Sequence, residues 1–93
     1  MVTPVACTAS NLYVIVSAAP GGAVTRTFAL RTSNSFAAAG TDTALTCTIT
    51  GAATSCTSTN TVALSAGTLV DFRTSVTIGA AAAANAAIGW TCQ

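Results

Sequence analysis

The residues that could carry chemistry in this chain are four cysteines and five charged side chains. Arg26, Arg31 and Arg73 stand against Asp42 and Asp71, so the 93-residue chain has a formal net charge of +1. It contains no Lys, Glu or His. A nucleophilic Ser or Cys needs a neighbouring general base, usually His or Lys, and the chain contains neither. We therefore expect a protein that is not an enzyme and that uses no cofactor or metal.

The two aspartates do not suggest a catalytic carboxylate pair. Asp71 lies between Val70 and Phe72 in an alternating segment and faces away from them. We expect it to form an ion pair with a nearby arginine, either solvated or at an interface. Asp42 follows Gly40 and Thr41, and we expect its carboxylate to bond backbone N–H groups in a turn.

The scarcity of charge favours association with other proteins. Charged residues make up 5 % of the chain, whereas a typical soluble domain has about a quarter. Because little charge keeps identical copies apart, we expect self-association. The interface candidates are Asp71, Arg73, Arg31 and Arg26. The chain has no basic cluster that would indicate a nucleic-acid partner, and no apolar run approaches the ~20 residues of a membrane span.

The cysteines can be paired from a predicted turn. If Gly51 and Ala52 form a two-residue hairpin loop, Cys47 lies opposite Cys56 in a non-hydrogen-bonded pair. Opposite Cα atoms come closest there, within the span of a disulfide. Cys7 and Cys92 would then join the two ends of the chain. Two other connectivities and four free thiols are the alternatives. Zinc is disfavoured because no closely spaced cysteine pair and no His is present.

Period-two alternation predicts an all-β fold. Apolar residues alternate with Thr, Ser or Ala in most of six segments, which are separated by Gly- and Pro-containing turns. The segments are 10–17, 24–31, 44–50, 61–65, 69–78 and 88–92. Strands with one apolar face each predict a single antiparallel sandwich of two sheets over residues 1–93, held by disulfides.

Two segments lack this alternation. Residues 34–40 are predicted to form a loop, with Phe36 as a possible plug of the core. Residues 79–87 are rich in alanine, which favours a helix by propensity. The stretch is short and has no capping residue, so a loop leading into a final strand is favoured over a short helix. Trp90, in that strand, is interpreted as a core residue rather than a sugar-stacking one.

Disulfides predict an oxidising compartment. The first four residues, however, have neither the basic region nor the apolar core of a signal peptide. Either a signal has been removed or the chain is made in a cytosol and oxidised later, as in a virus particle released by lysis. A thermophilic host, where intracellular disulfides occur, is the other explanation.

Several stretches of the chain resemble a known group of proteins. The stretches are S-N-L-Y-V at 10–14, T-F-A-L-R at 27–31, T-A-L-T-C-T-I-T-G at 43–51, C-T at 56–57 and A-G-T-L-V at 66–70. Over roughly residues 10–92 the chain resembles the small jelly-roll-like β-sandwich modules of phage virion proteins and related bacterial surface proteins. The hairpin at 43–57 is the most specific part of this similarity.

The resemblance implies a structural or attachment role in an oligomer and supplies no catalytic residues. We therefore expect a structural subunit of a virus-like or filamentous assembly, such as a capsid decoration or tail fibre. Its partners would be copies of itself and other virion or surface proteins, in the virion or outside the cell. The alternative is a secreted module that binds glycans or a cell-surface receptor through loops 32–43 or 79–87.

Overall fold

The computed structural model describes residues 2–36, 40–76 and 84–93. These residues form seven β-strands and no helix, so the predicted all-β class is confirmed. The strands are β1 Cys7–Val16, β2 Thr25–Ser33, β3 Thr41–Thr50, β4 Ser55–Ser58, β5 Val62–Leu64, β6 Leu69–Val76 and β7 Ala86–Cys92.

The strands form two antiparallel sheets that pack face to face. The first sheet contains β1, β4, β5 and β7, and the second has the order β3-β2-β6. β7 pairs with residues 9–16 of β1. This stretch includes the β1 residues that pair with β4, and it shares Ala9 with the β1 residues that pair with β5. A strand has only two edges, so β4 and β5 lie end to end along one edge of β1 while β7 occupies the other. The predicted two-sheet sandwich is therefore confirmed.

The core lies between the sheets and follows the predicted alternation. In β1 the inward side chains are buried, while Tyr13 and Ile15 are exposed on the other face. Burying an aliphatic or aromatic side chain stabilises the fold by about 1.5–3 kcal/mol. The largest fully buried side chains are Phe28, Leu12, Leu30, Leu45, Ile49 and Val14.

A bulge interrupts β1 at Asn11. The register against β7 shifts between Ser10 and Tyr13, and Asn11 has a φ of 56°. Asparagine tolerates this left-handed conformation better than most residues. The extra residue explains why Ala9 and Leu12, three positions apart, are both buried. Sequence alternation alone did not predict it.

The predicted disulfides are confirmed, but the hairpin used to derive one of them is wrong. Cys47 and Cys56 are bonded with Cα atoms 5.7 Å apart. The turn itself is present, because the N–H of Ala53 donates to the carbonyl of Thr50 at 3.1 Å. The strands on either side of the turn do not pair with each other, however, because β3 pairs with β2 and β4 pairs with β1. The Cys47–Cys56 bond therefore joins the two sheets instead of two strands of one sheet.

The second disulfide joins the ends of the first sheet. Cys7 and Cys92 are bonded with Cα atoms 5.4 Å apart and 85 positions apart in sequence. Cys92 lies directly opposite Ala9, two residues from Cys7 on the same face of β1. The predicted tie between the chain ends is therefore confirmed, and all four cysteines are oxidised. Two disulfides are typical of proteins in an oxidising, extracellular environment.

The structure corrects one loop prediction and confirms the final strand. Phe36 does not plug the core, because 96 % of it is exposed. The last strand begins at Ala86, two residues before the predicted start. Residues 37–39 and 79–83 of the two loop predictions, and residues 77–78 at the end of the predicted strand 69–78, lie outside the described residues.

We expect the two disulfides to contribute unequally to stability. In the chain-entropy picture, the bond that closes the longer loop stabilises more. Replacing Cys7 and Cys92 together by Ser should lower the free energy of unfolding by ~4 kcal/mol, and replacing Cys47 and Cys56 together by Ala by ~2–3 kcal/mol. Urea unfolding of the two double variants would measure this, and equal losses would contradict the entropic account.

Candidate functional site

All five charged residues lie on the second sheet, and four of them form a network on its outer face. Arg31 on β2 lies directly opposite Asp42 on β3 and Asp71 on β6. Its guanidinium donates two hydrogen bonds to Asp71, with Nε 3.0 Å from Oδ1 and Nη2 2.7 Å from Oδ2. This two-point geometry is the strongest form of an Arg–carboxylate pair. The predicted pairing of Asp71 with an arginine is confirmed.

The second ion pair crosses the sheet. Nη1 of Arg73 on β6 donates to Oδ2 of Asp42 on β3 at 2.7 Å. Because β2 lies between these strands, the Arg73 side chain must pass over it. Its neighbour on β2 is Ala29, which is only 5 % exposed although it shares a face with Arg31. Asp42 is therefore not a turn residue, as its sequence context predicted, but a strand residue with an arginine partner.

Gly40 packs against this network. A Cβ atom at residue 40 would lie 3.1 Å from both Cβ and Nε of Arg31. Contacts this close occur rarely for real side chains, so glycine leaves room for the guanidinium to reach Asp71. The residue before β3 thereby helps to position a side chain on β2.

The ion pair shifts the pKa values of both partners. The hydrogen bonds from Arg31 hold the pKa of Asp71 below its usual range, and those to Asp71 raise the pKa of Arg31. Both shifts favour the charged forms. At neutral pH Asp71 is thus an ionised acceptor, which makes it a poor proton donor.

Arg26 is separated from the other three interface candidates. It lies opposite Ile49 on β3 and Val76 on β6, on the face of β2 that carries Phe28 and Leu30. It is half-buried at the end of the sandwich. The structure therefore brings Arg31, Asp71 and Arg73 together with Asp42, and leaves Arg26 on the inner face. Their role in an interface stays a prediction.

The first sheet has an outer face of the opposite character. None of its four strands contains a charged residue. Tyr13 is 48 % exposed and Ile15 is 46 % exposed. Small, uncharged residues flank both side chains on the neighbouring strands. These residues are Thr57 and Gly89 beside Tyr13, and Ser55 and Ala87 beside Ile15.

One side of the sandwich is closed by covalent and polar links. The Cys47–Cys56 bond and the turn at 50–53 connect β3 to β4. Asn60 lies in the segment between β4 and β5, and its side-chain amide donates to the carbonyl of Ala44 on β3 at 2.8 Å. The edge of β3 is therefore covered along this side.

On the opposite side of the sandwich, the N-terminal segment that leads into β1 makes backbone contacts with the start of β6. Val2 forms a bridge with Leu69, and the N–H of Thr3 donates to the carbonyl of Thr68 at 2.9 Å. There β6 and β7 are the edge strands of their sheets. Phe72 of β6 and Trp90 of β7 meet edge to face, with ring centroids 6.2 Å apart. Both rings are partly buried against the core, so Trp90 packs as the sequence predicted.

Comparison with family models, curated proteins and solved structures finds no match to this chain. Within residues 2–36, 40–76 and 84–93, no three His, Cys, Asp or Glu side chains lie close enough to hold a metal ion. Over the same residues, no helix is long and apolar enough to cross a membrane. The two outer faces are thus the features on which a function can be argued.

We expect stability to depend on pH only under acidic conditions. The chain has no His and its cysteines are oxidised, so it lacks the side chains that ordinarily titrate near neutral pH. The folded-state pKa of Asp71 lies below the unfolded value of about 3.9. Its contribution is therefore complete above the unfolded pKa and is lost as pH falls through the folded pKa.

Thermal unfolding followed by circular dichroism at a series of pH values would measure this dependence. Asp71→Asn should reduce the loss of thermal stability at acidic pH and leave the melting temperature independent of pH near neutrality. A transition between pH 6 and pH 8, or an unchanged acid limb in the variant, would contradict the assignment to Asp71.

Proposed function

We propose that the protein is a structural subunit of a virus-like or filamentous assembly and acts by self-association. The observation that carries the proposal is the uncharged first sheet, which exposes Tyr13 and Ile15 among small side chains. Two such faces meet without like-charge repulsion. Large exposed apolar side chains beside small hydroxyl-bearing ones suit a buried contact with a polar rim.

The arrangement of charge favours the first sheet over the second as the contact. On the second sheet Asp71 is paired with Arg31, and Asp42 with Arg73, within one subunit. A face whose charges are already paired has little to offer an ionic partner. It would also have to give up the hydration of four charged groups on burial.

The location proposed for the assembly is the virion or the outside of a cell. The two disulfides suit an oxidising environment of this kind. The resemblance of residues 43–57 to phage virion modules supports the virion in particular. Other virion or surface proteins would then be further partners.

A secreted binding module is the second candidate, and Phe36 is the observation that favours it. This ring is 96 % exposed in the connection between β2 and β3, which is the loop region 32–43 of the sequence prediction. An exposed aromatic ring can stack on a sugar or enter a receptor pocket. If this candidate holds, a monomeric protein should bind a glycan array and Phe36→Ser should lose the signal.

We expect the wild-type protein to self-associate at micromolar concentration and to remain associated at high salt. Contacts made by apolar and hydroxyl-bearing side chains are weakly screened, whereas contacts made by exposed ion pairs weaken as salt rises. Light scattering after size-exclusion chromatography, at about 0.05 M and about 1 M salt, measures the particle mass. A monomer under both conditions would overturn the proposal.

Two lysine variants test which sheet makes the contact. Ile15→Lys places an ammonium group on the first sheet and should weaken association about tenfold or more, because burying an unpaired charge is costly. Ser75→Lys introduces the same group on the outer face of the second sheet and should leave association unchanged. Asp71→Ala removes one partner of an ion pair and tests the second sheet directly. Loss of association in Asp71→Ala or Ser75→Lys, but not in Ile15→Lys, would assign the contact to the second sheet.

A further inference from the structure

β7 presents backbone hydrogen-bonding groups on its outer edge. At one end of the strand the N–H of Ser17 donates to the carbonyl of Asn85 at 2.9 Å. At the other end Thr8 and Gln93 exchange two hydrogen bonds, of 2.7 and 3.1 Å. Odd-numbered residues of β7 therefore bond to β1, and in an antiparallel ladder the alternate residues point the other way. The residues whose backbone N–H and C=O groups point away from β1 are Ala86, Ile88, Trp90 and Cys92.

This edge lacks the features that usually prevent strands from joining. Soluble proteins protect sheet edges with Lys, Pro, inward charges or bulges. β7 has the sequence A-A-I-G-W-T-C, with none of these residues, and the extra residue of the β1–β7 bulge belongs to β1. By contrast, Asn60 covers part of the β3 edge, and β6 carries Asp71 and Arg73. Among the described residues, none pairs with the outer edge of β7.

Gly89, in the middle of β7, has no explanation within a single subunit. Its φ is not among the positive values that require glycine. A Cβ atom at this position would meet nothing within 4 Å, so no neighbour in the same chain requires the space. Glycine inside a strand weakens the strand and often marks a place where another backbone approaches closely.

We propose that β7 of a second copy of the chain pairs antiparallel with β7, with the two Gly89 residues facing each other on a two-fold axis. This register is the one that pairs the full strand Ala86–Cys92 with itself. It sets Ala86 opposite Cys92 and Ile88 opposite Trp90, so that the outward-pointing groups meet as hydrogen-bonded pairs. The two glycines then form a non-hydrogen-bonded pair, in which Cα atoms approach to about 4.5 Å.

The same register gives Tyr13 a role. Tyr13 lies directly opposite Gly89 in the first sheet, so one row of the joined sheet reads Tyr13, Gly89, Gly89, Tyr13. Strands are spaced about 4.8 Å apart, so the two Tyr13 backbones lie about 14 Å from each other. In the single subunit the Tyr13 ring does not cover Gly89, because a Cβ atom there would meet nothing within 4 Å. In the dimer each ring can turn over the pair of glycines and cover backbone that has no side chain of its own. An aromatic ring packed over a cross-strand glycine is a known stabilising arrangement.

The charge pattern identifies the partner as a second copy. Since β1 and β7 contain no charged residue, two copies bring no like charges together. An acidic or basic strand would find no opposite charge here. The pairing adds an edge-to-edge contact to the contact between outer faces proposed above, and it rests on that proposed function because both require self-association.

Two variants of Ile88 isolate the backbone contribution. Ile88→Pro removes an outward-pointing N–H that does not bond to β1, so the fold should tolerate it as it tolerates proline on other edge strands. Ile88→Ala shortens the same side chain but keeps the N–H. In sedimentation velocity, Ile88→Pro should associate about tenfold or more weakly than Ile88→Ala, because it loses hydrogen bonds across the interface. Peptide mapping without reduction should find both native disulfides in each variant.

Two cysteine variants test the register independently. Gly89→Cys places the new thiols opposite each other in a non-hydrogen-bonded pair, and mild oxidation should yield a covalent dimer linked at residue 89. Ala87→Cys lies on the same exposed face but opposite Thr91 of the other copy. Its two thiols are then separated by four residues, about 14 Å along the strand, and should not link. Mass spectrometry of the oxidised samples identifies the bonds.

The outcomes separate the two proposals. A wild-type protein that is monomeric at every concentration overturns the proposed function, and with it the strand pairing. Association that is equal in Ile88→Pro and Ile88→Ala overturns the strand pairing and leaves self-association standing. Equal covalent linkage of the Gly89→Cys and Ala87→Cys variants overturns the register.

Discussion

The Cys47–Cys56 bond is the contact on which the rest of the arrangement depends. It joins the sheets at the point where the chain leaves β3 in one sheet and enters β4 in the other. With the turn before it and the amide of Asn60 beside it, the bond keeps one side of the sandwich closed. The core is small, as expected for a chain of this size, so a covalent link next to Leu45 and Ile49 replaces packing that more residues would otherwise supply.

The two sheets differ in the charge of their outer faces. The second sheet gathers the charged side chains, and its arginines cover Ala29 as they reach the aspartates. The strands of the first sheet carry no charge, and none of the described residues pairs with the outer edge of β7. Phe72 and Trp90 meet across the other side. Charged and uncharged outer surfaces thereby lie on different sheets of one small domain.

Local patterns predicted much of this fold, and contacts between distant segments account for what they missed. Alternation located the buried faces of β1 and β3 because the side-chain period of a strand is two. Cysteine spacing suggested the right pairs. The hairpin was wrong because a turn such as Gly51-Ala52 fixes the backbone of only four residues. The pairing of β3 is determined instead by its long hydrogen-bonded ladder with β2. Asp42 was misplaced for the same reason, since its arginine lies 31 positions away in sequence. Asn11, directly before the apolar run 12–16, was the one local signal of the bulge.

The Cys7–Cys92 bond has a mechanical consequence. It closes residues 7–92 into a covalent ring, and the strands lie within that ring. Once the contacts of Val2 and Thr3 with residues 67–69 and of Gln93 with Thr8 have opened, tension applied before Cys7 and after Cys92 passes through the disulfide. The ladders among β1 to β7 then carry none of the load. A single proteolytic cut inside the ring leaves both pieces attached. A domain with this connectivity can be pulled or nicked without coming apart, which suits a protein in an extracellular environment.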